Sequence, residues 1–124
     1  MSAGAKQPRP IELRLRTKSR LLHVGFDDGS EFEMPFEYLR VFSPSAEVRG
    51  HGGGELVLVL GKEDVGVNAV EPVGNYAVRL VFDDGHNTGL YTWRMLFSLG
   101  RNMEKNMAHY RERVAAATAE RADD

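Results

Sequence analysis

The tetrapeptide Phe-Asp-Asp-Gly occurs twice, at Phe26–Gly29 and Phe82–Gly85, each time closing a run in which apolar and polar residues alternate. This feature limits the fold more than any other. A period of two sets the apolar side chains on one face of a strand, and Asp-Gly supplies the backbone angles of a tight hairpin turn. Leu22, Val24 and Phe26 lead into the first turn, and Phe32 and Met34 begin the return strand. Ile11, Leu13 and Leu15, alternating with Glu12, Arg14 and Arg16, read as an earlier half-buried strand. Tyr76, Val78, Leu80 and Phe82 lead into the second turn, with a short strand over 88–92 after it. The two blocks are either an internal duplication or two hairpins sharing the commonest turn chemistry.

Each block feeds a helix. Pro35 suits a first helical turn, where its missing N–H needs no partner; Phe36, Leu39 and Arg40 follow at helical spacing, and Ser43-Pro44-Ser45 ends the segment. Leu96, Leu99, Met103, Met107, Tyr110 and Val114 step by three or four along one stripe, interrupted near Gly100. This stripe predicts a C-terminal helix from about Asn102 packed on the sheet. Burial of each such side chain stabilises by roughly 1.5 to 3 kcal/mol, enough to account for the methionines. The expected architecture is α+β: two or three short antiparallel hairpins forming a small sheet arrangement with the C-terminal helix across them. Residues 1–9 read as a disordered tail, 10–114 as a single domain and 115–124 as a frayed end.

Composition excludes several classes of function. At 124 residues the chain suffices for one domain, burying roughly two-thirds of its unfolded surface. Sixteen Lys and Arg against 18 Asp and Glu give a net charge of −2, too little field to favour nucleic acid or anionic lipid. The chain contains no cysteine, which rules out disulfides and thiolate chemistry and fits a reducing, cytoplasmic address. The longest apolar run, Leu56–Leu60, is too short for a bilayer, and Met1–Pro10 lacks the core of a signal peptide.

The chemistry-bearing residues form fragments. Asp84 and His86, on an extended backbone, would point the same way, part of a metal or acid–base site; the other histidines, His23, His51 and His109, have no ligand spacing to them. His86 reads either as a ligand or as a histidine that holds the hairpin. Arg49-Gly50-His51-Gly52-Gly53-Gly54 reads as a loop between two strands, or as an anion-binding loop through Arg49 and His51, though no phosphate-loop motif follows it. Ser43, Ser45 and Ser98 lack the glycine-flanked elbow of a serine nucleophile.

Two segments, LRVFSPSAEVRGHG over 39–52 and GNYAVRLVFDDGHNTGLYTWRMLFSL over 74–99, resemble the gamma-butyrobetaine hydroxylase N-terminal-like domain family. The Asp84-Gly85-His86 turn, the Gly89–Trp93 segment and the Leu39-Arg40 pair carry most of the likeness, which extends over about Pro10–Tyr110. In carnitine-pathway dioxygenases the resemblance implies a small domain ahead of the oxygenase, with a Cys-Pro-Cys-x-x-Cys pattern and one histidine resembling a closed zinc site. Here Ser43, Ser45 and Val48 stand at the cysteine positions and only His86 is retained. A structural zinc contributes on the order of 10 kcal/mol through such ligands, and one imidazole cannot supply that. The chain therefore resembles a stand-alone bacterial branch without zinc ligands or oxygenase domain. Related domains joined to Mrp-type ATPases with iron–sulfur clusters imply an accessory role in iron or iron–sulfur metabolism.

The expected function is a non-catalytic module that binds a protein partner, not an enzyme, with no bound cofactor, no nucleic acid and no membrane. The candidate surface joins Ser43, Ser45, Arg49 and His51 to Asp83, Asp84, His86 and Trp93. Two alternatives stand beside it. One is an iron- or zinc-binding protein using His86 and Asp84; the other is a homodimeric structural unit.

Overall fold

The structure, a computed structural model, describes residues 8–44, 58–87 and 89–122, with side chains in the last helix described to 119. Strands β1 (Pro10–Arg16), β2 (Leu21–Phe26) and β3 (Glu31–Pro35) form one antiparallel sheet in that order and lead into helix α1 (Phe36–Val41). Strands β4 (Val67–Val73), β5 (Ala77–Phe82) and β6 (Leu90–Thr92) form a second and lead into α2 (Trp93–Arg101), followed by α3 (Met103–Ala122). The α+β expectation holds, with two three-stranded sheets around one core.

The likeness of the two halves goes far beyond their turns. Gly29 and Gly85 both have φ near +90° (92° and 93°), a conformation open to glycine and strained for other residues. The amides of Phe26 and Phe82 donate to the carbonyls of Ser30 and His86, at 2.8 and 3.0 Å. Asp27 N donates to Arg9 O and Asp83 N to Gly66 O, tying each turn to the start of its unit's first strand. Asp28 and Asp84 each accept a bond from the amide two residues on. Each helix starts alike, with Phe36 N donating to Arg20 O and Trp93 N to Tyr76 O. Even the register shifts coincide, falling between Pro10 and Glu12 in one unit and between Val67 and Ala69 in the other. The repeating unit is therefore a whole βββα module.

The modules exchange helices. Leu39 and Arg40 of α1 are bonded to Tyr91 and Asp84 of the second module. Phe97 of α2 packs edge-on against Phe26 and Phe32 of the first, with ring centroids 5.1 and 5.8 Å apart. The buried hydroxyl of Tyr38 donates to Leu99 O (2.6 Å) and that of Tyr91 to Leu39 O (2.5 Å), each reaching a carbonyl in a helix of the other module.

Several expectations change. Ile11 falls within the register shift of β1 and is 73% exposed, because a bulged residue leaves the alternation of its neighbours. Tyr76 lies in the turn before β5 and is 51% exposed; Ala77 and Val78 begin the buried run instead. Pro35 ends β3 with an extended ψ of 148° and sits one place ahead of the helix. The apolar stripe is shared by two helices that part at Asn102. Leu96 and Leu99 face the core from α2, while α3 meets the end of α1 and the 58–59 segment through Tyr110, whose hydroxyl donates to Val59 O (2.7 Å) and whose ring meets Phe42 edge-on. Helix α3 continues past Val114 to Ala122, mostly exposed, carried by the helical preference of its alanines. The glycine run at 49–54 lies outside the described residues; the described elements on either side of it are α1 and β4.

Candidate functional site

The second turn is braced by charge. Asp84 Oδ2 accepts Arg40 Nε at 2.8 Å and Lys62 Nζ at 2.7 Å, and Oδ1 accepts the amide of His86 at 3.1 Å. Arg40 comes from the last turn of α1 and Lys62 from the segment before β4. Burial pushes the Asp84 carboxyl upward, but the bonds from Lys62, the His86 amide and Arg40 prevail and hold it at about 2. Its side chain is 18% exposed.

Beside this cluster, Nε2 of His86 lies 2.9 Å from Oγ of Ser43, and the Ser43 residue is 0% exposed. Gly89 makes this contact possible: a Cβ there would stand 2.5 Å from Ser43 Oγ. Beneath them Tyr91 reaches Leu39 O, its hydroxyl pushed well above the usual phenol range by burial. The guanidinium of Arg40 also lies over the Phe82 ring, 6.0 Å from its centroid.

The first module has an equivalent place filled differently. Counting from the two helix starts, Arg40 corresponds to Phe97, Ser43 to Gly100 and Gly89 to Phe32; counting from the turns, His86 corresponds to Ser30. There Phe26, Phe32 and Phe97 pack edge to face, with the Phe32 ring pressed against Gly100. One copy is thus an aromatic cluster. The other sets a cation and an imidazole over the buried Ser43 hydroxyl, beside an aspartate turn that both copies share.

Of the residues expected at the site, Ser43, Asp84 and His86 come together. Asp83 sits on the same turn, its amide bonded to Gly66 O and its carboxylate packed over Gly66. Trp93 is elsewhere: its indole N–H donates to Asn75 O at the turn between β4 and β5, the opposite end of β5 from His86. Ser45, Arg49 and His51 lie outside the described residues. Sequence reasoning misses Lys62 and Arg40 as site residues. Arg40 belongs to a conspicuous Leu-Arg pair, whereas nothing local to Lys62 marks it.

Chemically the cluster is suited to holding shape and presenting charge. Ser43 is too deeply buried to attack a substrate, and Asp84 spends its charge on two cations. Among the described residues no group of three or more His, Asp or Glu is disposed to hold a metal ion as it stands. The cavity against α3 lined by Val41, Phe42, Leu58, Val59, His109, Tyr110 and Arg113 has about 20 Å³, room for about one water. No helix among the described residues is long and apolar enough to cross a membrane.

Residues 13–97 match the family described as gamma-butyrobetaine hydroxylase-like, N-terminal. A crystal structure from Acidithiobacillus ferrooxidans ATCC 23270, described as a protein of unknown function belonging to the DUF971 family, is 43% identical over 74% of this chain and 92% of that one, with a TM-score of 0.64. Two structures determined by NMR in solution are also similar. One is 49% identical over 95% of this chain and 88% of its own, with a TM-score of 0.80. The other is 41% identical over 91% and 89%, with a TM-score of 0.78. Among curated proteins none matches.

Proposed function

The chain belongs to the gamma-butyrobetaine hydroxylase-like, N-terminal family, and from that premise we propose that it is a non-catalytic cytoplasmic module that binds a protein partner through the polar surface around Arg40, Lys62, Asp84 and His86. One observation carries this reading. Two equivalent positions of a repeated βββα unit are occupied by an aromatic cluster in one copy and by charged and hydrogen-bonding groups in the other, although the aromatic solution satisfies the fold. Polar groups kept where packing alone would serve are better explained by contact than by stability. The arrangement also favours binding over turnover, because its serine is buried and its carboxylate neutralised.

The test compares proteins captured from cell extract by the tagged full chain and by Lys62→Glu and His86→Ala variants that retain the wild-type circular dichroism. The expected result is one protein recovered with the wild type and lost with both variants. Equal recovery by all three chains, or recovery of nothing, would overturn the reading. Light scattering on the purified chain separates this outcome from self-association, which shows as twice the monomer mass.

A further inference from the structure

The second turn holds more positive charge than its aspartate balances. Arg40 and Lys62 both bond to one oxygen of Asp84, so the guanidinium and the ammonium stand side by side. Asp84 stays ionised, and the three groups carry one net positive charge at neutral pH. No other described carboxylate lies within ion-pair distance of either cation. Asp83, the second acid of the turn, packs against Gly66 instead. The surplus charge is largely shielded from water, the side chains of Arg40, Lys62 and Asp84 being 13%, 23% and 18% exposed. Keeping a net charge in such a place opposes folding unless an anion compensates it.

The turn itself does not require these cations. In the first module Asp28 accepts the amide of Ser30 just as Asp84 accepts that of His86, yet Asp28 is ion-paired to no described residue and Phe97 stands where the second module has Arg40. The cations also have donors to spare. Arg40 reaches Asp84 through Nε, and its two terminal amino groups bond no described group. Both are reached by solvent, because among the described residues the one buried side-chain nitrogen or oxygen without a hydrogen-bond partner is Nδ1 of His23. That end of a guanidinium is a planar fork that matches the two oxygens of a carboxylate. Lys62 gives Asp84 one of its three N–H groups.

We propose that Arg40 and Lys62 form a carboxylate-binding site, in which an aspartate or glutamate side chain from an acidic segment of the partner protein docks on the terminal amino groups of Arg40 with Lys62 beside it. Asp84 acts as the positioning residue for both cations. The inference rests on the partner reading above and gives that partner its chemistry. One carboxylate brings the group to neutrality, whereas a phosphate monoester, with a charge of about −1.5 to −2, would leave a negative excess.

The test titrates the full chain with acetyl-tetraglutamate amide at fixed pH and follows its NMR resonances. Saturable shifts are expected at the Arg40 Nε–H and at the His86 amide, both bonded to Asp84. The ring of His23, held among Glu12, Glu31 and Glu33 on the first sheet, should not move. Lys62→Gln is expected to weaken binding roughly tenfold or more, as for the loss of a charge-assisted bond, and Lys62→Arg, which keeps the charge, to retain it within about threefold. The absence of saturable shifts, equal shifts at His23 and His86, undiminished binding by Lys62→Gln, or tighter binding of inorganic phosphate or an oligothymidylate of equal length would overturn the site. In the extract experiment, a captured protein that excess tetraglutamate fails to displace overturns the carboxylate site alone. Capture of nothing overturns the partner reading, while the titration, which needs no partner, still decides the site.

Discussion

Asp84 shows how one residue carries both local structure and a pH dependence. Its carboxyl is held at about 2, below the ordinary value of 3.8, so ionisation is easier in the folded chain than in the unfolded one. A depressed carboxylate adds stability that is complete above the unfolded value and disappears as pH falls through the folded one. Each tenfold difference in acidity between the two states is worth roughly 1.4 kcal/mol, so the contribution is about 2 kcal/mol. Asp84→Asn is therefore expected to be less stable than wild type by about 2 kcal/mol at neutral pH, with the gap narrowing between about pH 4 and pH 2. Urea titrations of both chains across that range check it; a constant gap would mean that Asp84 acts through shape and not charge. Ser43 and His86 differ in kind, since their hydrogen bond depends on a glycine at position 89 that brings a strand close.

At the scale of elements, α2 and β3 approach closely at Gly100. Gly100 lies in the last turn of α2, where alanine is ordinarily better by up to about 1 kcal/mol. Its Cβ would overlap the Phe32 ring, itself wedged between Phe26 and Phe97. Gly100→Ala is accordingly expected to destabilise by about 1–2 kcal/mol despite the helical gain, read as a lower urea midpoint. A higher midpoint would show that Phe32 swings aside freely. The elements also show where pattern reading succeeds. The strands before the Asp-Gly turns follow from local chemistry, while the N-cap of α2, where Thr92 accepts the amide of Met95 at 3.1 Å, came from the structure. β4 escapes such a reading because Val-Asn-Ala-Val-Glu-Pro-Val carries Asn and Pro; as an edge strand it tolerates a proline that donates no ladder bond.

For the whole molecule, the exchange of helices makes two modules into one folding unit. Tyr38 and Tyr91 each satisfy a helical carbonyl belonging to the other module, one of the terminal acceptors a helix cannot pair by itself. Tyr38→Phe and Tyr91→Phe are each expected to cost about 1–3 kcal/mol by leaving a buried carbonyl unpaired. Unfolding should remain a single transition, with Trp93 fluorescence and far-UV circular dichroism coincident. Separate transitions would show that the modules are stable independently.

Periodicity and turn chemistry in the sequence alone determined the α+β class, the two Asp-Gly hairpins, most of the buried faces and the closeness of Asp84 to His86 at the second turn, since each depends on near neighbours in the chain. The likeness of residues 39–52 and 74–99 to a known family was legible too. Only the tertiary structure brought Arg40, Lys62 and Ser43 to the second turn, sent Trp93 to the far end of its sheet and gathered Glu12, Glu31 and Glu33 around His23. The physical reason is separation along the chain: sheet register and helix exchange create those meetings, and no local pattern records which distant side chain will fill a space that a glycine leaves open.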